Sequence, residues 1–279
     1  MTPLFDEFRR SRLLWLLALV PVVLAAQAVQ PDAHSLLFWL SVAAIVPLAA
    51  LLSRATEAVA ARTGDAVGGL LNATLGNLTE LLIALAALRA GQYVLVKASI
   101  AGAIVANALF MLGASFLIGG LRHHVQEYNR NNARLQAGLL FLATVAILIP
   151  SVMDEADAVP APAFTQTLSL GLSVLLIVTY ALGLVFSLRT HREFFTAAGH
   201  ADSGEPVWPM PVALATLAGV TVLVALVSEI FVESVQHAAT TLGLSPAFVG
   251  FIIVALVGGA AEMASALSAA HPVSGVRRE

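Results

Sequence analysis

The sequence predicts an all-α integral membrane protein of about eight transmembrane helices, and three observations carry that prediction. Of 279 residues, 59% are apolar and only 11% charged, with a mean hydropathy of +0.89, whereas an ordinary soluble domain carries about 25% charged residues. Crossing a bilayer takes roughly 20 apolar residues, and runs of that kind fall at about 13–30, 35–52, 67–89, 97–120, 134–152, 164–188, 210–235 and 246–270. That division also sorts the charge. With the N-terminus inside, the inner segments hold Arg9, Arg10, Arg12, Arg54, Arg62, Arg122, Arg130, Arg134, Arg189, Arg192, Arg277 and Arg278, and the outer segments hold only Arg89 and Lys97. Basic residues collect on the cytoplasmic side, so both termini are expected there, and losing one span would scramble the asymmetry.

The elements follow in order. Arg9, Arg10 and Arg12 before the first apolar run resemble a signal peptide, but no small-residue cleavage site follows, which makes 13–30 an uncleaved leading helix. Residues 35–188 contain five spans, 189–209 form a proline-bearing cytoplasmic linker (Pro206, Pro209), 210–270 contain two spans, and 271–279 are a polar tail. Trp15, Trp39 and Trp208 near span ends read as interfacial anchors, and Gly119-Gly120 closes the fourth helix. The acidic run Asp154, Glu155, Asp157 reads as solvated, and His123-His124 and His191 as interfacial. The chain has no cysteine, so there is neither a disulfide nor a thiolate metal site. It has no basic nucleic-acid patch, no Ser/His dyad and no HExxH. The expectation is therefore not an enzyme, with no cofactor. The preference for arginine over lysine hints at a bacterial inner membrane.

Two intramembrane carboxylates carry the chemistry. Glu80 closes Gly-Asn-Leu-Thr-Glu (76–80) and Glu262 closes Gly-Gly-Ala-Ala-Glu (258–262), each within an apolar span. A carboxylate at that depth costs roughly 2.5–3.5 kcal/mol on insertion scales and marks a functional site. Asn72, Gly76 and Glu80 stand at i, i+4 and i+8 on one helical face, flanked by Asn77 and Thr79; Gly258 and Glu262 repeat the spacing, with Ser265 a turn further on. Glycine beside the carboxylate permits local unwinding, which frees carbonyls as ligands. Ser99 and Asn107 on the fourth span, with Gly102 and Gly113 near them, are candidates for neutral oxygen ligands. Thr56-Glu57 precedes the first motif as Ser228-Glu229 precedes the second, and the spans bearing them run in opposite directions. That is the pattern of an inverted repeat with its site at the midplane. Glu57, Glu229 and Glu233 are relay or mouth candidates. Two glutamates balance one calcium ion, which prefers hard oxygen ligands. The pair is neutral with one divalent cation or with protons but not when empty and ionised, which is a physical basis for antiport.

The stretches Gly-Gly-Leu-Leu-Asn-Ala-Thr-Leu-Gly-Asn-Leu-Thr-Glu-Leu-Leu-Ile-Ala-Leu (68–85), 96–109, Ser-Glu-Ile-Phe-Val-Glu-Ser-Val (228–235) and Val-Gly-Gly-Ala-Ala-Glu-Met (257–263) resemble the calcium/proton exchangers of the calcium:cation antiporter superfamily. The resemblance covers about 35–270. It implies a leading helix plus two five-helix inverted repeats of the sodium/calcium-exchanger type, with calcium and protons as partners in a bilayer. It also implies that Glu80, with Asn77, and Glu262 bind the cation. The chain departs from the family at Gly259, where asparagine is expected, and at Met263, where histidine is expected. It also ends after the eighth span, leaving the second repeat three helices short. The expected function is export of cytoplasmic calcium for protons. The alternatives are a sodium/calcium-type exchanger, and an inactive or partner-dependent truncated form that completes itself by self-association.

Overall fold

The computed structural model describes residues 11–121, 130–155, 162–190, 208–260 and 262–263. All regular structure among these residues is helical. A 3₁₀ stretch, Arg12–Ala18, leads into α1 (Leu19–Val29). There follow α2 (His34–Thr63), α3 (Asp65–Leu75), α4 (Leu78–Arg89), α5 (Tyr93–Val105) and α6 (Leu112–Gly120), with a wide π turn, Ala106–Met111, joining the last two. Further on lie α7 (Arg130–Glu155), α8 (Pro162–Val185) and α9 (Met210–Thr241). The last described span is α10 (Pro246–Phe248), a π turn at Val249–Val254 (the third, after Ala106–Met111 and Phe186–Thr190), and α11 (Ala255–Gly258).

Among the described residues, five helices are long and apolar enough to cross a membrane, α3 and α4 make a sixth if the pair, bent by 43°, is taken as one span, and Leu13–Val29 and Pro246–Gly258 are shorter apolar helices. Each of the eight expected apolar runs contains helix among the described residues, but those of the first and eighth are shorter than a full span, and the eighth is described only to residue 263. Two outrun the apolar stretch: α2 continues to Thr63 rather than 52, and α9 to Thr241 rather than 235. Hydropathy stops where polar residues begin, but the helix does not, because the backbone ladder carries on through Arg54, Glu57 and Arg62. The linker residues 191–207, the tail 271–279, Ser265, His123-His124, His191 and Asp157 lie outside the described residues.

Two compact units result, residues 1–126 with 206–279 and residues 127–205. In the first, the most extensive packing joins α2 to α9. His34 stacks on His237 with ring centroids 4.1 Å apart, and Phe38 on Phe231 at 5.5 Å. Moving forward along α2 moves backward along α9, so the helices are antiparallel, as the first helices of two inverted repeats must be. Their seam is aliphatic, with Ile45, Leu48, Leu52, Val220, Val224 and Val227 buried. Thr56 and Ser228, the matching residues of the two repeats, are both fully buried, while the glutamate after each is exposed. Trp208 is not an interfacial anchor: it is only 5% exposed and belongs to this core, unlike Trp15 and Trp39. In the second unit α7 and α8 pack together, with Gly183 facing Leu139.

A close crossing in the first unit is that between α5 and the π turn Val249–Val254. A β-carbon on Gly102 would overlap the Phe251 carbonyl, and one on Gly250 would lie 2.6 Å from the Leu95 carbonyl oxygen. Small residues permit such approaches where apolar lipid gives helices no hydrophobic reason to associate. Gly102→Val should therefore cost about 3 kcal/mol or more, since backbone rather than side chain must yield. Gly113→Val, in open space, should fall within about 0.5 kcal/mol. Unfolding of both variants in detergent checks the contrast.

Candidate cation site

The third span breaks immediately before its carboxylate. α3 ends at Leu75 and α4 starts at Leu78, with Asn77 between them at φ −95°, ψ 17°. The eighth span breaks at the equivalent place, where Gly259 follows α11 at φ −81°, ψ 7°. Each break lies three residues before its glutamate, with nearly the same backbone geometry. At the first break, a β-carbon on Gly76 would lie 2.5 Å from the Asn72 carbonyl oxygen, the acceptor for the Gly76 N–H. Only glycine fits this turn.

The breaks bring both carboxylates onto one amide. With its nitrogen turned to them, Asn77 donates to Glu262 Oε1 at 2.9 Å and to Glu80 Oε2 at 3.3 Å. Asn107, carried by the π turn Ala106–Met111, donates to Glu262 Oε2 at 3.5 Å. Glu80 Oε1 is buried with no hydrogen-bond partner. It faces the second break, where a β-carbon on Gly258 would lie 2.6 Å from Glu80 Cγ and 3.3 Å from Oε1. Hydrogen bonds to charged groups contribute about 1.5–3 kcal/mol each, so the two amides offset part of the cost of burying the acids. The arrangement offers four carboxylate oxygens and one amide oxygen to a hard cation.

Glu80, Glu262, Asn77, Gly258 and Asn107 thus lie together, with Gly76 in the break beside Asn77. The other candidates lie differently. The Ser99 hydroxyl donates to the Val96 carbonyl of its own helix at 2.9 Å, and serine in a helix commonly satisfies itself this way. Asn72 gives the break its carbonyl while its side chain is exposed, and Thr79 is buried. Glu57 accepts from Ser53 at 3.2 Å, Glu229 pairs with Arg89 at 3.6 Å, and Glu233 accepts from Gln27 at 3.2 Å, all on exposed faces. Reasoning from motifs missed Gln27 and also Gln92, which donates to the Val232 carbonyl at 2.8 Å. A lone glutamine near a span end carries no signal of its own. Gly250 could have been found from its place on the same span as Gly258.

The sodium/calcium exchanger protein family matches residues 34–189 and 212–272. This chain belongs to that family. It is 40% identical over 237 residues to the Ca(2+)/H(+) antiporter ChaA of Bacillus subtilis, covering 84% of this chain and 67% of the relative. It is 37% identical over 270 residues to the Ca(2+)/H(+) antiporter of Aphanothece halophytica, covering 91% and 72%. The solved structure of native YfkE superposes with a TM-score of 0.72 at 33% identity, over 91% of this chain and 72% of that one. The fold of this exchanger-family chain is therefore an all-helical membrane bundle of the antiporter type.

Gly258→Ala forces the Glu80 side chain aside and should weaken divalent-cation binding about tenfold, equivalent to about 1.4 kcal/mol. Gly219→Ala, in open space, should leave it unchanged. The rise of the thermal midpoint with ion concentration measures both.

Proposed function

We propose that this chain exchanges calcium for protons across a bilayer, with Glu80 and Glu262 as the shared binding groups. The observation that carries the reading is the junction of two broken helices at which one amide, that of Asn77, touches both carboxylates. Broken spans meeting at the midplane are how transporters place a polar site at membrane depth without exposing backbone to lipid. The names of the relatives, which are calcium/proton antiporters, point to the same two cargoes.

Charge counting supplies the mechanism. A calcium ion takes six to eight oxygens, and the two glutamates cancel its charge. When calcium leaves, two adjacent half-buried anions remain, and like charges that close do not both persist. Protons replace the ion, and the site is again neutral. A bundle that rearranges only around a neutral site alternates between the two loads, and the unwound turns at Gly76-Asn77 and Gly258-Gly259 mark where each span can flex. With basic residues gathered on the cytoplasmic side, the N-terminus lies inside, and calcium leaves the cytoplasm of a bacterial cell as protons enter. The sodium/calcium reading has less support: Asn77 turns its nitrogen to the pair, so the one neutral side-chain oxygen beside it is that of Asn107, and Gly259 adds none.

Everted vesicles carrying the chain should take up calcium when a proton gradient is imposed. Glu80→Gln and Glu262→Gln should each abolish uptake. Because the two loads compete, the half-saturating calcium concentration should fall as pH rises, by up to about tenfold per unit for each proton displaced. Uptake insensitive to both substitutions, or calcium affinity flat with pH, rejects the reading.

A further inference from the structure

The two helix breaks share their backbone geometry but not their side chain. Asn77 at the first break reaches both carboxylates. Gly259 at the second has the same conformation, three residues before its glutamate, and offers nothing. What surrounds it is acceptor oxygen: a β-carbon there would lie 3.7 Å from Glu80 Oε1, 3.7 Å from Asn107 Oδ1 and 3.2 Å from the Ala255 carbonyl oxygen. Glu80 Oε1 is the carboxylate oxygen left without a partner among the described residues of the site. The pair is therefore held tightly on the Asn77 side and loosely on the Gly259 side.

We propose that Gly259 sets the ion-size preference of the site: where the first break supplies an amide, the second leaves room for a water that stays on the bound cation, so strontium and barium are accepted nearly as well as calcium. The inference rests on the exchange reading above. Calcium binds through oxygens at about 2.3–2.6 Å in flexible geometry, and discrimination among divalent ions comes from cavity size, ligand number and rigidity. Protein ligands on every side of the ion would fix the cavity radius. A water between Glu80 Oε1 and Asn107 Oδ1 can donate one hydrogen to each while its oxygen faces the ion, the Ala255 carbonyl being already taken by the Gly259 N–H. It can shift with the size of the ion, which a side chain fixed to the backbone does less readily. Such a bridging water is nearly as good enthalpically as a direct ligand, so the relaxed fit need not weaken binding.

The test titrates the full chain in detergent with calcium, strontium and barium chlorides, reading the thermal midpoint, and repeats the series as competition for calcium uptake in vesicles. The unmodified chain is expected to bind barium within about threefold of calcium. Gly259→Asn is expected to widen the gap about tenfold, which corresponds to about 1.4 kcal/mol. An unmodified chain that already prefers calcium over barium by more than about thirtyfold overturns the proposal, as does a folded Gly259→Asn protein with an unchanged ratio. Should that variant not fold, the ion series on the unmodified chain decides alone. An unmodified chain that responds to no divalent ion, calcium included, overturns the exchange reading itself and this proposal with it.

Discussion

Two half-buried carboxylates, Glu80 and Glu262, share one amide donor, that of Asn77, and the helix breaks and crossings beside them meet at that donor. Lipid offers no donor, so each acid left bare adds several kcal/mol to the cost of folding. The Asn77 amide serves both acids, which it can do only because the third span stops being a regular helix at that residue. The break in turn needs Gly76, whose place against the Asn72 carbonyl leaves no room for a side chain. Asn107 reaches Glu262 from the fourth span, which the contact of Gly102 with Phe251 holds against the eighth. A donor, a turn and a crossing thus depend on one another, and removing any of them exposes the same pair of charges.

Around this junction the long helices α2 and α9 form a frame with a different chemistry. Their seam is aliphatic, closed at one end by the Phe38–Phe231 and His34–His237 ring pairs. In a bilayer such packing rests on shape rather than on escape from water, so side chains that interlock over many turns are what hold the two repeats side by side. The polar contacts on exposed faces, Arg89 with Glu229 and Gln27 with Glu233, add little by comparison, since exposed pairs contribute at most about 1 kcal/mol.

Much of this was legible in the residues because the bilayer restricts what a sequence can do. Length and hydropathy locate the apolar helices, and a glutamate inside an apolar run announces itself. The Gly-Asn-Leu-Thr-Glu and Gly-Gly-Ala-Ala-Glu runs accordingly named the residues that meet. Less legible were features with no compositional mark. That α2 runs on to Thr63 depends on backbone hydrogen bonds to which hydropathy is blind. That Ser99 turns back on its own helix is a side-chain choice composition does not record, and that Asn107 reaches the site goes with a local change of helical pitch at Ala106–Met111. Trp208 has the composition of an anchor and the position of a core residue, and only packing distinguishes the two.

That change of pitch reaches beyond the residues in it. The wide turns at Ala106–Met111 and Val249–Val254 each spend about one residue more per turn than an α-helix, a rotation of about 100° in everything that follows. A helical wheel drawn straight through either span therefore assigns the wrong face to half of it. Residue-by-residue chemical labelling along 93–120 would show two periodic patterns with a phase slip between them, and the slip falls at the residue that reaches Glu262.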